Sequence, residues 1–83
     1  ERKRVIEVLR DLPWLEVVCD SEANFVLIRC ERFRELYDYL VEGDIVVRVR
    51  HIPPRLSCGL RITIGTREEN DLLIKRLKKF GDL

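Results

Sequence analysis

The chain has no methionine and only three cysteines in 83 residues, with no Cys-x-x-Cys pair among them. Cys19, Cys30 and Cys58 are spaced too widely for a paired-thiolate zinc site, and an odd count suits a reducing compartment better than a disulfide framework. All three read as structural thiols, and the cytoplasm is the expected location. Aromatics are scarce at 7%, and none falls between Glu42 and Lys79. That gap argues against single-stranded nucleic acid as a partner, because such sites interleave cations with stacking rings. The RNA-recognition signature is absent as well. Long uncharged runs are missing, which excludes a membrane helix of roughly 18 apolar residues.

No apolar stretch follows Glu1-Arg2-Lys3-Arg4, so no signal peptide is read. That opening looks like the interior of a helix without an initiator Met, and the chain is expected to be a piece of something longer. Neither charge sign dominates: 16 Lys+Arg against 15 Asp+Glu give +1. Hydrophobic residues at 46% suit a packed globule, and 37% charged residues demand a solvated exterior, so disorder is not expected. Residues 1–83 are expected to form a single domain, one small enough to hide only about 60% of its unfolded surface.

Along the chain there is no repeat and no low-complexity segment. A first helix is predicted from the start to Leu9 or Arg10, with Val5, Val8 and Leu9 on one side, ended by Pro13. Trp14 to Val18 reads as a strand, Asp20 to Asn24 as a turn, and Phe25 to Cys30 as a strand covered on both faces. Phe33, Leu36, Tyr37 and Leu40 have the i, i+3, i+4, i+7 spacing of one helical face. Gly43 stands where that helix should end and permits a positive φ there. Ile45 to Arg50 is a strand with Ile45, Val47 and Val49 on one face and Val46, Arg48 and Arg50 on the other. Pro53-Pro54 opens a loop through Gly59. Leu60 to Ile64 follows, with Leu60, Ile62 and Ile64 inward and Arg61 and Thr63 opposite. Thr66 and Glu69 form a capping box for a last helix that buries Leu73, Leu77 and Phe80, with Lys75 to Lys79 placing cations near its negative end. The order α-β-β-α-β-β-α predicts an α+β sandwich, a mainly antiparallel sheet with helices packed on one face.

Chemistry concentrates between Asp44 and Glu68, where Arg48, Arg50, Arg55, Arg61 and Arg67 occur with no carboxylate among them. Arg48 and Arg61 are each mid-strand and opposite the apolar residues. If their strands are neighbours, both guanidiniums leave one face and make a two-pronged anion site, since planar guanidinium forks match phosphate and carboxylate oxygens. The plainer reading, in which arginines on an open sheet face keep it soluble and block edge pairing, stands beside it. Arg50, Arg55 and Arg67 read as solvated or loop residues, and His51 as a lone histidine without a catalytic partner. No Gly-rich phosphate loop, nucleophile elbow or histidine–carboxylate pair supports catalysis by this chain alone.

Ser21-Glu22-Ala23-Asn24-Phe25, Ile45-Val46-Val47-Arg48 and Gly59-Leu60-Arg61-Ile62-Thr63-Ile64-Gly65-Thr66-Arg67-Glu68-Glu69-Asn70 resemble the C-terminal small domain of histidinol-phosphate aminotransferase. That family belongs to the class I/II pyridoxal-phosphate aminotransferases. The likeness covers essentially the whole chain, about the last quarter of a family member. The spacing of thirteen positions between Arg48 and Arg61 agrees with the family's two substrate arginines. Leu56-Ser57-Cys58-Gly59-Leu60 departs from the family's order, in which Cys more often directly precedes Leu-Arg.

The resemblance implies that Arg61 holds the substrate's anionic end and that Arg48 assists with the phosphate. The implied reaction, part of histidine biosynthesis, exchanges an amino group between histidinol phosphate and 2-oxoglutarate, in a cytoplasmic homodimer. The family's Schiff-base lysine and its other pyridoxal-phosphate contacts belong to the large domain. Lys3, Lys75, Lys78 and Lys79 lie on amphipathic helices and are not expected to bind the cofactor, so the chain alone should bind no pyridoxal phosphate and be inactive. An isolated domain of this kind is expected to self-associate or be marginally stable. The alternatives are the small domain of a threonine-phosphate decarboxylase, or a free-standing α+β module that binds a small anion or a protein.

Overall fold

Apolar spacing and terminal chemistry place each element in the computed structural model, which describes residues 1–19, 24–50 and 57–82. The order is α1 (Arg2–Asp11), β1 (Glu16–Cys19), β2 (Phe25–Arg29), α2 (Phe33–Glu42), β3 (Val47–Val49), β4 (Gly59–Thr63) and α3 (Arg67–Phe80). The α+β arrangement matches the pattern expected from sequence.

Leu12 leaves α1 with extended backbone angles, as the following Pro13 requires. The strand after it starts at Glu16 rather than Trp14. The Trp14 ring instead packs against Phe80, with centroids 5.3 Å apart, so the bulky residue seals the end of α3 and does not join the ladder. The predicted Asp20–Asn24 turn lies outside the described residues except for Asn24.

At the end of α2 the left-handed position falls one residue later than expected. Gly43 has φ −89, whereas Asp44 has φ 62. Asp44 N–H donates to the Val41 carbonyl and Ile45 N–H to the Leu40 carbonyl, both at 3.0 Å. This is a Schellman closure with Asp44, a residue that tolerates this backbone region, at the left-handed site. Gly43 serves a different need. A Cβ there would collide with the Arg76 side chain, which crosses the helix end to donate from Nη2 to the Tyr39 carbonyl at 2.8 Å.

The sheet order is β1-β2-β4-β3, and every neighbouring pair is antiparallel. β2 and β3 are therefore parallel to each other, joined through α2, with β4 inserted between them. Val26, Ile28, Leu60 and Ile62 are fully buried on one face of this sheet. The helices cover that face with Val5 and Leu9 from α1, Leu36 and Leu40 from α2, and Leu73 and Leu77 from α3. Each such side chain contributes about 1.5–3 kcal/mol by leaving water.

β2 was expected to be covered on both sides. Its other face, carrying Phe25 and Leu27, is only half-buried, because the helices occupy a single layer. Ile45 likewise belongs to the α2 exit rather than to β3, and Gly59 opens β4 instead of ending a loop. The Pro53-Pro54 loop and His51 lie outside the described residues.

The capping box of α3 is present in both directions. Thr66 Oγ1 accepts from the Glu69 N–H at 3.2 Å, and Glu69 Oε1 accepts from the Thr66 N–H at 2.8 Å. Those hydrogen bonds hold the Glu69 carboxyl below its ordinary value. Beside the box, Asn70 is 1% exposed, a buried polar residue that apolar periodicity does not disclose. Its Oδ1 accepts from Gly65 N–H at 2.9 Å, and its Nδ2 donates to the Gly65 carbonyl and Glu1 Oε1, each at 3.1 Å. One side chain thus ties the β4–α3 turn to the start of α1.

Candidate anion site on the open sheet face

Alternation along β3 and β4 sends Val47, Leu60 and Ile62 to the helices and leaves Arg48 and Arg61 on the other side. Whether two such side chains meet depends on register, and here Arg48 and Arg61 are direct partners across the β3–β4 ladder. Arg50 N–H donates to the Gly59 carbonyl at 2.8 Å, and Thr63 N–H donates to the Val46 carbonyl at 3.2 Å. Each flanking bond is two residues away, so Arg48 and Arg61 form a hydrogen-bonded pair, with a Cα separation of about 5.5 Å.

The partners of the two cations are informative. Arg29 lies on the same face, and its register partner is Glu16, with Nη1 and Oε1 3.1 Å apart. Arg48 and Arg61 have each other instead, and among the described residues neither enters an ion pair. Like charges directly opposite cost the sheet roughly 0.2–1 kcal/mol. An arriving anion would reverse that repulsion into two attractive contacts.

Arg61 is also the direct partner of Leu27 on β2, and Phe25 is the partner of Thr63. Phe25 and Arg61 are thus diagonal neighbours, and the Arg61 guanidinium carbon lies 4.9 Å from the Phe25 ring centroid. The sequence assigned Phe25 to a strand without linking it to Arg61. Its face was not legible either, because Phe25, Val26, Leu27 and Ile28 are all apolar, and the contact needed the β2–β4 register.

Of the other expected cations, Arg50 stays beside Arg48, with which it lines one groove, while Arg67 does not join the pair. Arg67 is exposed at the start of α3, Arg50 is half-buried beyond the end of β3, and Arg55 lies outside the described residues. A groove of about 470 Å³ lies elsewhere, between Trp14, Arg29, Arg32 and Phe80. Arg32 there is already held by Glu35 at 2.7 Å and sits 4.7 Å from the Phe80 ring centroid. Beside the arginine pair, Arg48 lines an open groove of about 450 Å³ together with Tyr37, Val41, Val49 and Arg50.

Lys3, Lys75, Lys78 and Lys79 are all exposed, and all lie on α1 or α3, across the sheet from the arginine pair. They do not fit a pocket that would enclose pyridoxal phosphate. Among the described residues no group of three or more His, Cys, Asp or Glu could hold a metal ion. Among those residues, too, no helix is long and apolar enough to cross a membrane.

No family model matches the chain. A histidinol-phosphate aminotransferase from Flavobacterium psychrophilum is 45% identical over 78 residues, which are 94% of this chain and 22% of that protein. The crystal structure of the histidinol-phosphate aminotransferase from Clostridium acetobutylicum superposes with a TM-score of 0.82 at 33% identity, covering 98% of this chain and 25% of that one. A decarboxylase from Sulfurospirillum multivorans gives a TM-score of 0.75 at 31% identity over 94% of this chain and 23% of its own. The chain therefore spans about a quarter or less of the proteins it matches.

Proposed function

The chain belongs to the histidinol-phosphate aminotransferase family, and we propose that residues 1–83 form its C-terminal small domain, supplying Arg61 and Arg48 to the anionic end of the substrate. The observation that carries this reading is the direct cross-strand pairing of the two arginines on the face opposite the helices. Arg61 presents in-plane N–H donors to phosphate or carboxylate oxygens, and Arg48 adds a second set from the neighbouring strand. Each charge-assisted hydrogen bond contributes about 1.5–3 kcal/mol. Binding the remote phosphate this way orients the amino end of the substrate without any bond being made or broken here.

In this reading the substrates are histidinol phosphate and glutamate or 2-oxoglutarate, and the setting is histidine biosynthesis in a cytoplasmic homodimer. Pyridoxal phosphate supplies the electron sink of such transfers, and its site belongs to a large domain beyond these residues. This chain alone is accordingly inactive. Incubation with pyridoxal phosphate and borohydride tests that part: a single lysine modified stoichiometrically would overturn it.

The test of the arginine assignment is kinetic. In the complete enzyme, Arg61→Ala should lower kcat/KM for histidinol phosphate about 10- to 100-fold, the equivalent of one lost charged contact. Unchanged kinetics would refute the role. The likeness to a decarboxylase favours a second reading, the small domain of a threonine-phosphate decarboxylase, with the same arginines on a different phosphate ester. Comparing the two phosphate esters as substrates separates these.

A further inference from the structure

We propose that Phe25 is a positioning residue for the anion site: its ring backs one face of the Arg61 guanidinium and aims the in-plane donors at the ligand. The inference rests on the reading of Arg61 as an anion-binding residue and names what orients it. An arginine on an open face has several rotatable bonds and loses rotamer entropy on binding. Whatever restrains it beforehand without occupying its donors strengthens the site.

A ring does this and a carboxylate does not. The ring attracts the cation through its face, while the N–H groups that bind phosphate radiate in the guanidinium plane. At 4.9 Å from centroid to guanidinium carbon, the Phe25–Arg61 contact is within the range of such attraction. The other long-range ring contacts differ in this respect. Arg32, over Phe80, spends donors on Glu35, and Arg76, over Tyr39, donates to the Tyr39 carbonyl. Among the described residues Arg61 has the ring contact without such an expenditure, as does Arg34 over its chain neighbour Phe33, but of these two only Arg61 stands in the arginine pair.

Phe25 is itself fixed from several sides. Arg2 Nη1 donates to its carbonyl at 3.2 Å, tying the start of β2 to α1. Next to it, the Asn24 carbonyl accepts from Ile64 N–H at 2.8 Å, which continues the β2–β4 ladder. The register with Thr63 then fixes the diagonal that brings the ring to Arg61. The backbone thus sets the ring, and the ring sets the cation.

The experiment uses the 83-residue chain, inorganic phosphate as the probe, and NMR of the arginine Nε–H and Cδ protons. The Arg61 δ protons should be shifted upfield by the ring, and Phe25→Leu should abolish that shift while Phe25→Tyr keeps it. Phe25→Leu should weaken phosphate binding about two- to fivefold, the size expected for an exposed cation–ring contact. Pentafluorophenylalanine at position 25 keeps the shape but inverts the ring's charge distribution, so it should weaken binding as Leu does even if the Leu variant folds poorly.

In an Arg61→Gln background the change at position 25 should have no further effect, because the ring acts through that guanidinium. Weakening of equal size in both backgrounds would make Phe25 merely structural and overturn the proposal. Wild-type affinity in the Leu and pentafluoro variants, with Arg61→Gln clearly weakened, would overturn it while leaving the anion site standing. Wild-type affinity in Arg61→Gln would remove the anion site and this inference together.

Discussion

Arg48 and Arg61 oppose each other across the β3–β4 ladder, two like charges in direct register with no carboxylate partner among the described residues. A sheet selected only for stability would place an acid at one of these positions, as it does with Glu16 opposite Arg29. Arg48→Thr should therefore raise the unfolding free energy by roughly 0.2–1 kcal/mol while weakening phosphate binding. Urea denaturation and phosphate titration of the same variant check both halves, and a lower unfolding midpoint would contradict the first.

Asn70 satisfies both backbone groups of Gly65, so its replacement leaves a donor and an acceptor to find water at the tight entry to α3. Asn70→Ala should destabilise the chain by about 1–3 kcal/mol. Asn70→Asp should do no better, because it keeps the acceptor for Gly65 N–H but turns a carboxylate toward the Gly65 carbonyl and Glu1. Thermal melts of the two variants decide this, and an Asp variant as stable as wild type would refute the account.

Acid should weaken the fold through identifiable carboxylates. Thr66 hydrogen bonds lower the Glu69 carboxyl, the Arg32 hydrogen bond lowers Glu35, and Arg4 followed by Asn70 lowers Glu1, all from an ordinary value of 4.5. A folded-state pKa below the unfolded one adds stability above the unfolded value, and that stability is lost as pH falls through the folded value. The urea midpoint should thus hold steady from neutral pH to about 5 and decline below 4.5. Glu69→Gln preserves a capping box without the titration, so its decline should be shallower. An identical acid slope would exclude Glu69 as a contributor.

Cys30 is 4% exposed, and burial pushes its thiol above the ordinary value, more than the Arg32 backbone hydrogen bond offsets. At neutral pH it should be alkylated far more slowly in the folded chain than in urea. Peptide mapping after timed iodoacetamide treatment measures this, and equal rates in the two states would show that the site opens freely.

How much of this was legible in the sequence varies by element. Phe33, Leu36 and Leu40 announced α2 because helical spacing is a local property, and Thr66 with Glu69 announced the start of α3 for the same reason. Gly43 misled by one residue, since a glycine can mark either a left-handed turn or a close approach. Only the position of Arg76 shows that it is the second. Asn70 gave no signal, because its burial depends on Gly65 and Glu1 arriving around it.

The sequence by itself determined three helices, one apolar face on each of the β3 and β4 segments, and two arginines pointing away from it, because a period of 3.6 or of 2 is written in neighbouring residues. The tertiary structure alone decided that β4 enters between β2 and β3, that position 48 meets position 61, and that Phe25 lies diagonally beneath Arg61. Alternation tells which side of a strand a residue occupies. It carries no information about which strand lies alongside or in what register, and those are settled by burial of the whole apolar face against the helices.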